Sequence, residues 1–283
     1  MIRQKSFDRE EAAIYVVATP IGNLNEMTPR AIEVLQSVDV IAAEDTRNTV
    51  KLLHHFGIKT RLIAHHQHNE EHSVDGIISL LEEGKKVAIV SDAGYPLISD
   101  PGNLLVKKAS SRGYPVIPVS GSNAMLNALV ASGMDTQHFL FYGFLKQQEK
   151  DRVKQLQALK HFSYTIVFYE APHRITKMLK SCKEVLGDRK ICIARELTKR
   201  HEEFIRGTIS EILEITEELK GEMVVIVEGC SEQEHTEKDS VDVYQLITSY
   251  IQQGMTTNNA IKIVAKEVGI PKNELYKQYH KGM

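Results

Sequence analysis

Five short apolar, β-branched runs in the first half of the chain, each followed by a segment of helical periodicity, constrain the fold more than any other feature. IYVVA precedes PRAIEVLQS, VDVIAAE precedes TRNTVKLLHHF, RLIAHH precedes VDGIISLLEEG, KVAIVS precedes LLVKKASS, and PVIPVS precedes NAMLNALVAS. Strands that alternate with helices pair in parallel and are covered on both faces. The alternation predicts an α/β domain over residues 13–135, with a parallel sheet and helices on both sides.

After GMDTQHFLFYGFL the rhythm changes. The strand candidates HFLFYGF, YTIVFYE, RKICIARE, EEFIRG and MVVIVEG are separated by helical segments near 146–160, 172–186 and 209–220. RKICIARE and EEFIRG are spaced like the arms of a hairpin, which predicts a second α/β domain over 136–230 with a mixed or antiparallel sheet. A length of 283 residues agrees with two domains. SEQEHTEKDS, residues 231–240, is charged and poor in apolar residues and reads as a linker. Behind it VYQLITSYIQQG, NNAIKIVAKEVGI and PKNELYKQYHKG predict three helices, a helix-turn-helix-like tail over 240–283 whose last helix starts with Pro271 at an N1-like position.

The net charge of −2 means that any contact with nucleic acid comes from local basic patches. One such patch runs from Lys146 to Arg206, while the acids concentrate in SEILEITEELKGE and the linker. The three cysteines, Cys182, Cys192 and Cys230, lack CxxC spacing, which implies neither a disulfide framework nor a thiolate metal site and fits a reducing cytoplasm. MIRQKSFDREE has no apolar signal core, and no stretch reaches the roughly 20 apolar residues of a membrane span. The expectation is a cytoplasmic protein. In HHQHNEEH, His65, His66, His68 and His72 lack clear zinc-ligand spacing, so the tract reads as a polar loop and no metal is expected.

In an open α/β sheet, ligands bind where loops leave the carboxyl ends of the strands. Four loops sit at such ends: ATPIGNL (18–24), AEDTRNT (43–49), SDAGYPLISDPG (91–102) and SGSNAM (120–125). GxxxxGK[ST] is absent and no GxGxxG follows a strand, which excludes the usual phosphate cradles. Asp92 and Asp100 instead suit a ligand rich in donors, such as ribose hydroxyls or an ammonium group, while Ala93, Gly94 and Pro96 permit close backbone approach. The alternative is a plain turn, with Asp100 capping a helix that begins near Pro101.

ATPIGNLNEMTPRA, AEDTRNT, SDAGYPLISDPG, SGSNA, FYGFL, FYEAPHRI and ARELTKRHEEF resemble, in order, the motifs of the tetrapyrrole methylase, or class III S-adenosylmethionine-dependent methyltransferase, family. Within it they are similar to the branch that methylates the ribose 2′-oxygen of a decoding-centre cytidine of 16S rRNA in the small ribosomal subunit. The resemblance covers roughly residues 13–229. It implies a two-domain fold, S-adenosylmethionine in the cleft between domains, and a homodimer. It places Thr19, Pro20 and Gly22, then Gly94, Tyr95, Pro96, Ser99 and Asp100, then Ser120, Gly121, Ser122 and Asn123 around the cofactor. Tetrapyrrole-modifying members carry a Gly-x-Gly type first loop and a GDP motif in the second; the TPIG and GYP found here favour RNA over a porphyrin.

S-adenosylmethionine carries its own leaving group, so the protein mainly aligns the 2′-hydroxyl with the methyl and helps its proton depart. Glu44, Asp45, Asp100, Glu170 and Glu196 are candidate bases, with Asp100 and Glu170 favoured because they lie on opposite sides of the implied cleft. Helix capping is the alternative for Glu44, Asp45 and Glu170. Arg47, Arg174 and Arg195 suit bidentate contact with RNA phosphate, against an ion pair between Arg195 and Glu196. Two other readings stay open: methylation of a tetrapyrrole with the same cofactor loops, and a regulator whose α/β part senses a metabolite while the tail reads DNA.

Overall fold

The computed structural model describes residues 3–6, 12–66, 70–231, 243–268 and 271–281. Strands β1 (Ile14–Val17), β2 (Val40–Ala43), β3 (Arg61–Ala64), β4 (Val87–Val90) and β5 (Val116–Val119) form a wholly parallel sheet in the order β3-β2-β4-β1-β5. The central β2 and β4 are buried at every position, whereas the edge strand β3 exposes both ends. Alternate residues of the strands feed two separate cores.

On one face Ala31, Val34 and Leu35 of α1 (Pro29–Ser37) and Leu53 of α2 (Thr46–His55) pack on Val17, Ile41 and Val90. On the other, Val74, Ile77 and Leu81 of α3 (Glu70–Glu82) and Leu105 of α4 (Asn103–Ser111) pack on Ile14, Ala42 and Ile89. Each fully buried Ile or Leu contributes about 1.5–3 kcal/mol relative to exposure. Helix starts follow the sequence: Thr28 accepts a hydrogen bond from the Ala31 N–H at 3.2 Å, with Pro29 at the first helical position.

The second sheet is mixed, as the hairpin spacing implies. It contains β6 (Phe139–Phe144), β7 (Thr165–Glu170), β8 (Lys190–Arg195), β9 (Glu203–Thr208) and β10 (Met223–Val227), ordered β6-β7-β10-β8-β9. Only β6 and β7 pair in parallel. Thus β10, the last strand in sequence and buried throughout, fills the centre. Helices α6 (Glu149–Leu159) and α7 (Ile175–Leu186) follow β6 and β7. The segment near 209–220 is shorter in helix than its sequence implies: α8 (Ile209–Leu213), started by a Thr208–Glu211 capping box, then a single 3-10 turn at Thr216–Glu218.

Helix α5 (Ala124–Ser132) is connected to β5 but packs on the second sheet, burying Ala128 and Leu129 against Val167, Ala194, Val224 and Ile226. Both sheets accordingly belong to one compact unit, Met1–Lys160 with Tyr164–Gly229. The other unit is His161–Ser163 with Cys230–Met283. It holds α9 (Val243–Gln252), α10 (Thr257–Val268) and α11 (Lys272–Lys281) around Ile247, Ile261, Val264, Leu275 and Tyr279. Pro271 lies one residue ahead of α11, its carbonyl accepting from the N–H groups of Glu274 and Leu275 at 2.9 and 3.1 Å. Residues 232–240 of the predicted linker lie outside the described residues. Among the described residues no helix is long and apolar enough to cross a membrane.

Candidate functional site

β1 and β4 are neighbours, yet the helices that follow them, α1 and α4, lie on opposite faces of the sheet. The loops leaving these strands therefore diverge and open a crevice at the carboxyl edge. A two-bond bridge holds its floor: Thr19 N–H donates to the Gly94 carbonyl at 2.9 Å, and Gly94 N–H to the Thr19 carbonyl at 3.0 Å. The Thr19 hydroxyl, itself buried, donates to the Ser91 carbonyl at 3.2 Å. Above this floor is a cavity of about 250 Å³ lined by Thr19, Pro20 and Gly22, by Asn48 and Lys51 of α2, and by Ser91 and Asp92.

The loop after β5 is fastened to the loop after β1. A Cβ on Gly121 would stand 2.8 Å from the Cβ of Ala18, so only glycine lets the two backbones meet. The Thr28 hydroxyl donates to the Ser120 carbonyl at 3.2 Å and the Ser122 hydroxyl to Glu26 at 3.0 Å. Asn123 caps α5 by accepting from the Leu126 N–H at 3.0 Å. The structure thus brings Thr19, Pro20, Gly22, Gly94 and Ser120–Asn123 to adjacent strand ends. Pro96 is buried, and Tyr95 packs into the core on the α3–α4 side.

The same edge is strained. Leu97 (φ 73°) and Ser99 (φ 68°) after β4, and Glu196 (φ 50°) and Thr198 (φ 65°) after β8, are the non-glycine left-handed residues among those described. Such conformations cost about 1–3 kcal/mol each and persist where neighbours over-determine them. Here each strained loop abuts a glycine. Ser99 Oγ lies 3.3 Å from where a Gly143 Cβ would be, at the β6 bulge where the register shifts between Phe141 and Gly143. Lys199 and Thr198 press on Gly22, with Lys199 Cγ 2.5 Å from its Cβ position.

Three carboxylates, Glu44, Asp92 and Asp100, gather at the ends of β2 and β4. Burial, reinforced by the charges of Glu44 and Asp92, pushes the Asp100 carboxyl up to about 6 against a hydrogen bond from Ser91. Burial also raises Glu44, with the Asp92 charge next. Asn48 Nδ2 donates to Asp92 at 3.1 Å. Such a group of acids is relieved by a ligand that brings positive charge or donors. The Tyr169 phenol joins it: burial raises its pKa and the Asp100 charge adds to this, against a bond from the Met125 backbone. Asp100 does not cap α4, which begins at Asn103 behind Gly102 with no side-chain cap.

Glu170 stands elsewhere. Adjacent residues of a strand face opposite sides, and while Tyr169 joins the α5 cluster, Glu170 turns to the α6–α7 layer, 2% exposed. Its Oε1 accepts from the Ala171 N–H at 2.9 Å and pairs with Arg174 Nε at 3.0 Å. Among the described residues its Oε2 has no hydrogen-bond partner. Burial raises its pKa, opposed by Ala171, Arg174, Arg152 and His173. Arg174 in turn donates to the Leu145 carbonyl at 2.5 Å, tying the end of β6 to the start of α7.

Of the three arginines predicted to face RNA, Arg47 is 87% exposed and pairs at 2.6 Å with Asp45, the N-cap of its own helix. Hydrogen bonds from Arg47 hold Asp45 down to about 2. Arg195 pairs with Glu203 across β8 and β9 and donates to the Lys220 carbonyl at 3.3 Å. The Arg195–Glu196 pair weighed from sequence is replaced by Glu196–Lys199 at 3.1 Å. In the histidine tract, His65 is buried with Nδ1 2.7 Å from the Ser73 hydroxyl, and His68 lies outside the described residues. All three cysteines are buried, and none forms a disulfide.

A parallel sheet with a crevice at its switch point, joined to a mixed sheet whose strand ends lean on that crevice, is the fold of the class III methyltransferases. The chain superposes on uroporphyrin-III-C-methyltransferase from Thermus thermophilus with a TM-score of 0.56 at 18% identity, covering 77% of this chain and 94% of that one. A cobalt precorrin-4 methyltransferase of cobalamin biosynthesis gives 0.59 at 16% (79% and 98%), and diphthine synthase 0.59 at 12% (77% and 90%). These likenesses concern the fold.

The family model of the tetrapyrrole (corrin/porphyrin) methylases matches residues 13–213, and the chain belongs to that family. Over 98% of both chains it is 48% identical to the ribosomal RNA small subunit methyltransferase I of Bacillus subtilis. It is 42% identical to the Synechocystis protein of the same name, over 93% of this chain and 95% of that one.

Proposed function

We propose that this protein is an S-adenosylmethionine-dependent methyltransferase of 16S rRNA, acting in the cytoplasm as a homodimer on the ribose 2′-hydroxyl of a decoding-centre cytidine in the small subunit. The observation that carries the reading is near full-length identity of 42–48% to proteins named ribosomal RNA small subunit methyltransferase I.

The residues at the crevice fit the cofactor. Gly121 and Gly94 leave its floor without side chains, and the Glu44–Asp92–Asp100 group offers acceptors to ribose hydroxyls, an amino group and a positive sulfonium. S-adenosylmethionine, when bound, supplies an electrophilic methyl and its own leaving group. The chain's part is to position and to move a proton. Thr19, Gly94 and Ser120–Asn123 form the wall, and Ser99 and Asp100 are carried by a loop braced on Gly143. With a pKa of about 6, an Asp100 carboxylate oxygen is charged at neutral pH yet basic enough to accept the proton of an aligned hydroxyl. Glu170 serves as the clamp of Arg174 rather than as a second base. Arg47 and Lys51 flank the mouth and face RNA phosphate.

The test is transfer of labelled methyl from S-adenosylmethionine to small subunits lacking 2′-O-methylation, with a uroporphyrinogen in parallel. Label mapping to one decoding-centre ribose is the expected result; label on the macrocycle alone would replace the substrate.

A further inference from the structure

The tail is electrically unlike the rest of the chain. Residues 240–283 contain five lysines (262, 266, 272, 277 and 281) and three acids (Asp242, Glu267 and Glu274), a net charge of +2 in a chain whose total is −2. Its helices bury one face each. In α10, Ala260, Ile261 and Val264 point into the core, which leaves Lys262 and Lys266, one turn apart, on the outward side. In α11, Leu275 and Tyr279 are buried, and Lys272, Asn273, Glu274, Tyr276, Lys277 and His280 are exposed. The Tyr276 ring is 42% exposed and stands against the His280 ring with centroids 4.4 Å apart. Among the described residues, no ion pair involves Lys262, Lys266 or Lys277.

Exposed lysines with no ion pair among the described residues favour a polyanion, and two rings offered beside them supply a stacking platform that a purely electrostatic surface lacks. Three residues separate α10 from α11, the spacing of a helix-turn-helix pair. Duplex DNA would be read by hydrogen-bonding side chains at the start of the second helix. The paired rings are instead its fifth and ninth residues, past that start, a position that suits an unstacked base of folded RNA.

We propose that the outward faces of α10 and α11 form a second RNA-binding surface, in which Lys262, Lys266 and Lys277 meet phosphates and the Tyr276–His280 pair stacks on an unpaired base of small-subunit RNA. The inference rests on the RNA substrate proposed above and adds a contact made by the other unit of the chain.

The experiment compares the full-length protein with a K262A/K266A/K277A variant and with Tyr276→Ala, measuring binding to 16S rRNA and to duplex DNA across a salt series. The lysine variant is expected to bind 16S rRNA about tenfold more weakly and to flatten the salt slope by about 2, at roughly 0.7 per phosphate contact. Tyr276→Ala is expected to weaken binding about fivefold with the slope unchanged. Melting temperature and S-adenosylmethionine affinity stay as in the parent, because neither variant touches a buried side chain. Unchanged affinity and slope for 16S rRNA in the lysine variant, or a loss confined to duplex DNA, would overturn the proposal. Failure of the parent protein to methylate subunits, with lysine-dependent 16S rRNA binding intact, would overturn the substrate reading and leave this surface standing.

Discussion

Replacing Asp100 with Asn separates the cost of the acidic group from its use. In the folded protein the Asp100 carboxyl moves from 3.8 to about 6. The native state therefore holds a proton that the unfolded chain releases between these values, and stability falls as pH rises through that window. A shift of about 2 units at 1.36 kcal/mol each sets an upper bound of ~3 kcal/mol, which solvent screening of this half-buried carboxyl lowers; loss of the Ser91 hydrogen bond, worth about 1 kcal/mol, offsets part of any gain from removing the charge. Asp100→Asn should thus stabilise the unliganded protein by about 1–2 kcal/mol at pH 7.5 and flatten the stability profile between pH 4 and 6.5. Urea melts at half-unit pH intervals measure both. The same substitution should weaken S-adenosylmethionine binding by about 1.5–3 kcal/mol, the worth of hydrogen bonds to a charged acceptor, which titration calorimetry reads directly. An unchanged pH slope in the variant would refute the electrostatic account, and unchanged cofactor affinity would remove Asp100 from the cofactor wall.

Gly121→Val places atoms where Ala18 already stands, so it should abolish cofactor binding and lower stability by about 1–3 kcal/mol, checked by calorimetry and thermal melting. Glu170→Ala leaves Arg174 without its buried partner and should destabilise by about 3 kcal/mol, with Glu170→Gln recovering most methyl transfer; a Gln variant that is stable, binds cofactor and transfers nothing would instead make Glu170 the base. Arg47→Ala should leave the melting temperature unchanged and weaken RNA binding with a smaller salt slope, measured by filter binding.

The parallel sheet was legible because its strands are apolar at successive positions and its helices keep their period. The crevice followed from strand ends and Gly94 from the close backbone approach that glycine permits, whereas Gly121 entered through the family resemblance. Gly143 carried a readable sign as well, since an isolated glycine inside FYGF marks a bulge or a close neighbour. Other features left none. The left-handed turns at Ser99 and Thr198 are imposed by tertiary contact against local preference. Whether Tyr169 or Glu170 faces the crevice depends on one residue of register in β7, which decides every side chain on the strand. The pairing of Arg195 with Glu203 needed the β8–β9 alignment, and the docking of α5 on the second sheet needed the sheet itself.

The position of β10 sets a timetable for synthesis. β7 and β8 each pair with it and not with one another, so until residues 223–227 have emerged the second sheet exists only as two separate ribbons with unpaired inner edges. Helix α5, made about a hundred residues earlier in translation, has no complete surface to dock on before then. A nascent chain halted before Met223 would therefore display two open strand edges and an uncovered apolar helix, the surfaces that chaperones bind, beside a first sheet already able to fold.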